Sequence, residues 1–150
     1  MGTKYKGTKR EVSSLNAFIN LLRAVGSLES RLSGHLDSSN LTLSQFGTLE
    51  ALYHLGPLSQ KEIGAKILKS GGNITKVIDN LERKGLVTRE KDLNDRRFYR
   101  VELTKNGKSL IERIFPLHVK EIVKEFKIIT DAELEQLRKL SRYVGKQIRD

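Results

Sequence analysis

Five basic side chains, Arg89, Lys91, Arg96, Arg97 and Arg100, crowd around one expected turn, with Asp95 among them. A guanidinium carried on a narrow hairpin tip has the reach and the charge to enter a DNA minor groove, where negative potential concentrates. Upstream, Ser70-Gly71-Gly72-Asn73 precedes an apolar stripe of Ile74, Val77, Ile78 and Leu81, and Thr75, Lys76, Asp79 and Asn80 stand off that stripe. A helix that reads the major groove needs this division, with one face holding it to the domain and polar residues near its N-terminus reaching base edges. Asn73 and Lys76 are the candidate base contacts, and Ser70 and Thr75 the candidate phosphate contacts. Asn80 shares their face, and Gly71 with Gly72 allows the backbone to approach phosphates closely. Alone, the segment reads as an ordinary surface helix; the basic turn that follows reverses that reading.

Other chemistries find little footing. His35, His54 and His118 are far apart in sequence, with no metal-ligand spacing or obvious triad among them, so neither a metal nor catalysis is expected. There is no phosphate-cradling glycine loop after a strand, and no cofactor is implied. The absence of cysteine removes disulfides, thiolate metal sites and thiol-based redox sensing. Tyr53, His54 and His118 are the candidates for lining a small-molecule pocket, although His118, after Ile114-Phe115-Pro116-Leu117, also reads as a partly buried structural histidine.

Composition points the same way. A formal charge of +10 over 150 residues, with a pI near 9.9, favours a polyanionic partner, whether DNA, RNA or an acidic membrane surface. No apolar run approaches the roughly 18 to 20 residues needed to span a bilayer, so the expectation is a soluble, cytoplasmic protein with no membrane partner.

Helical spacing of Leu15, Ile19, Leu22, Val25, Leu28, Leu32 and Leu36 predicts a long amphipathic helix from Val12, ended near Gly34 and Asp37-Ser38-Ser39-Asn40. Residues 1–11, with Lys4, Lys6, Lys9 and Arg10, read as a mobile basic arm. Thr42 with Gln45, and Ser59 with Glu62, are capping-box pairs that open two further helices. A break at Ser70-Gly71-Gly72-Asn73 precedes the helix that ends at Gly85, giving a helix-turn-helix. Leu86 to Glu90 and Phe98 to Leu103 read as two strands, a wing. Thr104 opens a helix that Pro116 is expected to kink or divide, and Thr130 with Glu133 opens the last. The expected fold is mainly α with a small β-hairpin wing, a winged helix-turn-helix over 42–104 plus a helical dimerisation region over 12–37 and 105–150.

Asp79-Asn80-Leu81-Glu82-Arg83-Lys84-Gly85-Leu86-Val87, followed by Asp95-Arg96-Arg97, Val101-Glu102-Leu103-Thr104 and Gly107, resembles the MarR family of bacterial transcriptional regulators. The resemblance extends from about Val12 to the C-terminus. It implies a homodimer with intertwined N- and C-terminal helices, a palindromic DNA operator, Arg97 as the wing arginine of the minor groove, and Asp95 as its acidic brace. It also implies a cleft for a small aromatic acid, phenol or quinone between the dimerisation helices and the DNA-binding lobe. Leu52-Tyr53-His54-Leu55-Gly56 with Ile114-Phe115-Pro116-Leu117-His118 resembles a subgroup that responds to quinones and aromatic compounds. The missing cysteine departs from the family's redox-sensing members.

The expected function is a sequence-specific regulator, a repressor released by an aromatic effector. A ligand-independent regulator and a winged-helix module for protein or RNA remain open alternatives at the level of sequence.

Overall fold

The computed structural model describes residues 2–67 and 71–149. Helix α1 spans Lys9–Ser33 and is capped by Thr8, whose hydroxyl accepts from the Glu11 amide while the Glu11 carboxylate accepts from the Thr8 amide. Thr8-Lys9-Arg10-Glu11 is itself a capping box, so the helix begins ahead of Val12 and takes in residues that charge alone had assigned to the arm. Before it, the Thr3 amide donates to Asn16 Oδ1 at 2.7 Å and lays the N-terminal segment against the helix.

A 3-10 turn over Gly34–Ser39 ends at Asn40 in the left-handed region (φ 52°) and delivers Leu36 to the core. Helix α2, Leu43–Leu55, carries the expected Thr42 and Gln45 capping box and stops at Gly56, whose φ of 77° suits glycine. A short strand β1, Leu58–Ser59, leads into α3, Gln60–Ile67, where the Ser59 and Glu62 pair exchanges its two capping hydrogen bonds as expected. Helix α4 spans Gly71–Arg83, so Gly71, Gly72 and Asn73 form its first turn and not a break in the chain. Its end is a glycine motif: Gly85 has φ 69° and the Leu86 amide reaches back to the Leu81 carbonyl.

Strands β2, Val87–Lys91, and β3, Tyr99–Leu103, pair antiparallel with Arg89 opposite Val101. The sheet has a third member, in the order β1-β3-β2, with Leu58 opposite Val101. The expected two-stranded hairpin is therefore one strand short. A two-residue strand directly after Pro57 shows no alternation, and only its partner reveals it.

Helix α5 runs unbroken over Lys105–Phe126 with Pro116 inside it. Proline forfeits one backbone bond, yet Ile114 and His118 on either side are buried and hold both halves in place, so the expected division does not occur. After it, α6 covers Asp131–Lys146 behind the predicted Thr130 and Glu133 box.

One core holds the lobe together. Leu36, Phe46, Leu49, Ile63, Ile74, Ile78, Leu81, Val87, Val101 and Ile111 are buried in it. Ile111 and Ile114 place the first half of α5 in this core, so the boundary expected at residue 105 falls within the lobe's own packing. In contrast, α1 and α6 bury no residue, and Phe18, Leu22, Leu117, Val123, Leu140 and Val144 stand exposed. Among the described residues, no helix is long and apolar enough to cross a membrane.

The joint between wing and α5 is tight. The Thr104 hydroxyl donates to the Gly85 carbonyl at 2.7 Å and accepts from the Gly107 amide at 3.0 Å, while the Thr104 amide donates to the Leu86 carbonyl. A Cβ on Gly107 would lie 2.0 Å from that same carbonyl oxygen, which is backbone and cannot rotate away. Gly107→Ala is expected to lower unfolding stability by about 1 to 3 kcal/mol, as overpacking does. Urea titration of the variant checks this, and an unchanged midpoint would contradict the close approach.

Candidate nucleic-acid interface

Helix α4 is held by Ile74, Ile78 and Leu81, each essentially inaccessible to solvent. That choice of inner face turns Asn73, Thr75 and Lys76 outward and leaves Asn80 half-buried beside them. Ser70 lies outside the described residues. Gly71 and Gly72 stand at the helix N-terminus, where amides lack intrahelical acceptors, and no acidic side chain occupies that first turn. The helix end therefore presents positive potential on the side where Asn73 and Lys76 emerge.

The two smaller polar residues are already engaged. Thr75 Oγ1 accepts from Gln60 Nε2, tying the start of α3 to the outer face of α4. Asn80 Oδ1 accepts from Arg83 Nη1 at 2.9 Å. Gln60 was not singled out by sequence; its signal is only its place at the first position of a helix that must cross α4. At the far end, Lys84 donates to the Asn40 carbonyl and to Gln45 Oε1, anchoring α4 to the cap of α2.

The basic residues of the wing divide into two groups that sequence could not separate. Arg89, a candidate wing cation by charge, points back to the lobe and pairs with Asp79 and with Glu82 (2.9 Å) on α4. Pairs this accessible contribute at most about 1 kcal/mol each, so their consequence is the angle between wing and helix more than stability. Arg100, although about half exposed, is likewise tied to the lobe, donating through Nε to Asp92 Oδ2 at 2.7 Å and through Nη1 to the Pro57 carbonyl at 2.9 Å. Lys91, Arg96 and Arg97 remain exposed.

Arg97 is 84% exposed, yet its guanidinium is oriented. Nε and Nη2 donate to the two oxygens of Asp95 at 2.9 and 2.7 Å, and the Arg97 amide donates to Oδ1 at 3.1 Å. These bonds hold the Asp95 carboxyl below its ordinary range, first through the Arg97 side chain and then through its amide, and they raise the guanidinium in turn. The Phe98 ring lies 5.9 Å from the guanidinium carbon, a second surface that limits its swing. A planar cation held at a hairpin tip is suited to inserting into a narrow anionic groove.

The candidate ligand residues do not form one site. Tyr53 and His54 meet edge to face at 5.1 Å, His54 meets Phe115 at 5.1 Å, and the Tyr53 hydroxyl is 3.5 Å from Glu112. Both line an open cleft of about 560 Å³ with Pro57, Leu103 and Lys108. His118 does not line that cleft. It is buried between Phe46 (4.3 Å) and His35 (4.7 Å), with its Nδ1 2.8 Å from His35 Nε2, while His35 Nδ1 is buried without a hydrogen-bond partner. Histidines that lie far apart in sequence thus meet where the 3-10 turn packs on α5. Among the described residues, no group of three or more potential ligands could hold a metal.

Burial, and secondarily His35, pushes His118 below its ordinary value of 6.5. Because the folded value is depressed, the neutral form is favoured in the fold. Stability is fully present above about pH 6.5 and is lost as pH falls toward the folded value. The melting temperature should therefore drop between about pH 7 and pH 5, and His118→Gln should flatten that drop. Identical pH profiles for the two proteins would refute the assignment.

Comparison with known proteins places these features in a group. A model of the MarR family matches residues 41–98, from the start of the α2 region to the wing tip. The HTH-type transcriptional regulator MhqR of Bacillus subtilis (strain 168) is 36% identical over 132 residues, covering 88% of this chain and 91% of that protein. Among solved structures, Sco3205 of Streptomyces coelicolor, a MarR family regulator in complex with DNA, superposes with a TM-score of 0.84 at 20% identity, covering 98% of this chain and 93% of that one. BpsR of Bordetella bronchiseptica, whose DNA binding is regulated by 6-hydroxynicotinic acid, superposes with a TM-score of 0.79 at 26% identity, covering 86% and 98%.

Proposed function

The chain belongs to the MarR family of DNA-binding transcriptional regulators, and from that premise we propose that it is a cytoplasmic repressor that binds a palindromic operator as a homodimer and is released by a small aromatic or phenolic molecule. No reaction is catalysed. Helix α4 enters the major groove with Asn73 and Lys76 at base edges and Thr75 at the phosphate backbone, with Gly71, Gly72 and Asn80 completing that surface, while Ser70 is a phosphate candidate by sequence alone. The wing carries Arg96 to the backbone and Arg97 to the minor groove, and Asp95 aligns the latter.

The observation that carries this reading is the bidentate Asp95 and Arg97 pair on an otherwise exposed tip. A charged side chain aligned so fully, with so little of it buried, is prepared for a partner outside the chain. Exposed apolar residues along α1, distal α5 and α6 support the dimer. Two-fold symmetry would set the recognition helices about 34 to 36 Å apart, with half-site centres roughly 10 base pairs apart. The aromatic effector follows the subgroup resemblance at Leu52–Gly56 and Ile114–His118, and BpsR supplies a neighbour with an aromatic acid as its regulator.

The test starts from a duplex selected by the wild-type protein from a random-sequence pool. On it, Arg97→Ala should weaken binding by about 1 to 3 kcal/mol, while folding stability stays within about 0.5 kcal/mol, as expected for an exposed tip. Asp95→Ala should weaken binding less, and the double variant should be non-additive because the pair acts as a unit. A well-folded Arg97→Ala dimer with undiminished affinity would sink the wing assignment. Thermal-shift screening with salicylate-like and quinone-like compounds tests the effector.

A further inference from the structure

We propose that Asp92 and Arg100 are positioning residues for DNA binding: a relay of fixed points running from the α2 to β1 connection out to the wing tip, which sets where Arg97 meets the minor groove. The inference rests on the reading of Arg97 as the groove contact.

The relay begins at the Pro57 carbonyl, which is fixed between the end of α2 and the edge strand β1 and accepts from Arg100 Nη1 at 2.9 Å. The same guanidinium donates through Nε to Asp92 Oδ2 at 2.7 Å. The other oxygen of Asp92 accepts the amides of Asn94 at 2.8 Å and Asp95 at 3.1 Å. Asp95 in turn holds Arg97 by its amide and its guanidinium. Every link is a hydrogen bond with a charged partner, and each fixes the next residue in order. Backbone bonds close the same loop, from the Asp92 amide to the Phe98 carbonyl and from the Phe98 amide to the Asp95 carbonyl.

Burial separates the roles. The Asp92 side chain is 16% exposed and that of Arg100 47%, against 84% for Arg97. Arg100 has committed both Nε and Nη1 to the protein, on a strand whose opposite neighbours are Ser59 and Glu90. Its charge is answered by Asp92 and, more distantly, by Glu62. Asp92 is held below the usual carboxylate range chiefly by the Arg100 side chain and then by the two loop amides, so it stays an ionised acceptor at neutral pH. Without these links the loop tip would be tied to the lobe only by the two strands beneath it, and Arg97 would sample many positions before meeting DNA.

The experiment is a double-mutant cycle on the duplex selected by the wild-type protein, with melting curves recorded for each variant. Arg100→Met should weaken binding by about 2- to 12-fold, the cost of ordering one mobile long side chain. In an Arg97→Ala background the same substitution should have no further effect, because there is no longer a guanidinium to place. Asp92→Asn, which keeps the shape and one acceptor while losing the charge, should act in the same direction and gives a second cycle if Arg100→Met fails to fold. Multiplicative losses in both cycles, or a fall in salt dependence for Arg100→Met that persists in the Arg97→Ala background, would show Arg100 touching DNA by itself and overturn the proposal. Undiminished binding by well-folded Arg100→Met and Asp92→Asn proteins would overturn it equally. If instead Arg97→Ala alone changes nothing, the groove contact itself fails and the relay fails with it.

Discussion

Replacing Leu137 and Leu140 together by glutamate should convert a dimer into monomers at micromolar concentration and lower operator affinity by about 10²- to 10⁴-fold, the advantage that linking two binding modules provides. Both leucines lie on α6, which buries none of its residues within the chain, and they are 41% and 52% exposed. With Leu134 and Val144 they form an apolar stripe along α6 that stands exposed. In a dimer this stripe would be covered, and an unpaired carboxylate buried there costs several kcal/mol. The lobe core, built from Phe46, Leu49, Ile63, Ile78 and Val101, has no share in that surface, so each lobe should keep its fold. Sedimentation equilibrium and circular dichroism on the same sample read both outcomes. A double variant that remains dimeric, or a wild-type protein that is itself monomeric, would remove α6 from the interface.

Raising salt from about 50 to about 200 mM should weaken operator binding about a thousandfold, because Lys76, Arg96 and Arg97, doubled by symmetry, are the cations that enter the counterion atmosphere of the DNA and set a slope near −5 in log K against log salt, at about 0.9 per cation. Formal charge alone, at +10 per chain, would suggest a steeper dependence. The structure lowers the expectation by engaging Arg89 with Asp79 and Glu82, Arg100 with Asp92, and Lys84 with Asn40 and Gln45. Cations tied back to the lobe in this way stay off the DNA face and release few counterions on binding, whereas Arg97 is carried outward on the wing tip. Lys76→Gln should therefore reduce the slope by nearly 2 per dimer, while Arg89→Met should leave it unchanged even if affinity falls. A slope near zero for the wild-type protein would favour a protein partner over DNA.

The helices were legible in sequence because their signals are local. A capping residue and the amide it accepts from lie within four residues, and Thr42, Ser59, Thr104 and Thr130 each open a helix where the pattern places it. The apolar stripe Ile74, Ile78 and Leu81 determined which face of α4 turns inward, and with it that Asn73 and Lys76 turn outward. The pairing of Asp95 with Arg97, by contrast, was implied by the family resemblance and not by spacing, and in the fold the turn brings the carboxylate within reach of the guanidinium.

What tertiary structure decided is every relation between residues that chain order separates. Composition counted Arg89, Arg97 and Arg100 as one basic cluster, but strand alternation and sheet position send Arg89 to α4, Arg100 to the Pro57 carbonyl and only Arg97 outward. Strand β1 is invisible without its partner, because two residues carry no period and their pairing with β3 spans some forty positions of chain. His35 and His118 looked unrelated until the 3-10 turn folded onto α5. The same holds for α5, whose first half joins the lobe through Ile111 and Ile114 although its periodicity continues unchanged into the exposed second half. Local signals state what each segment forms and which face it hides; which partner it hides that face against depends on contacts the chain makes only once folded.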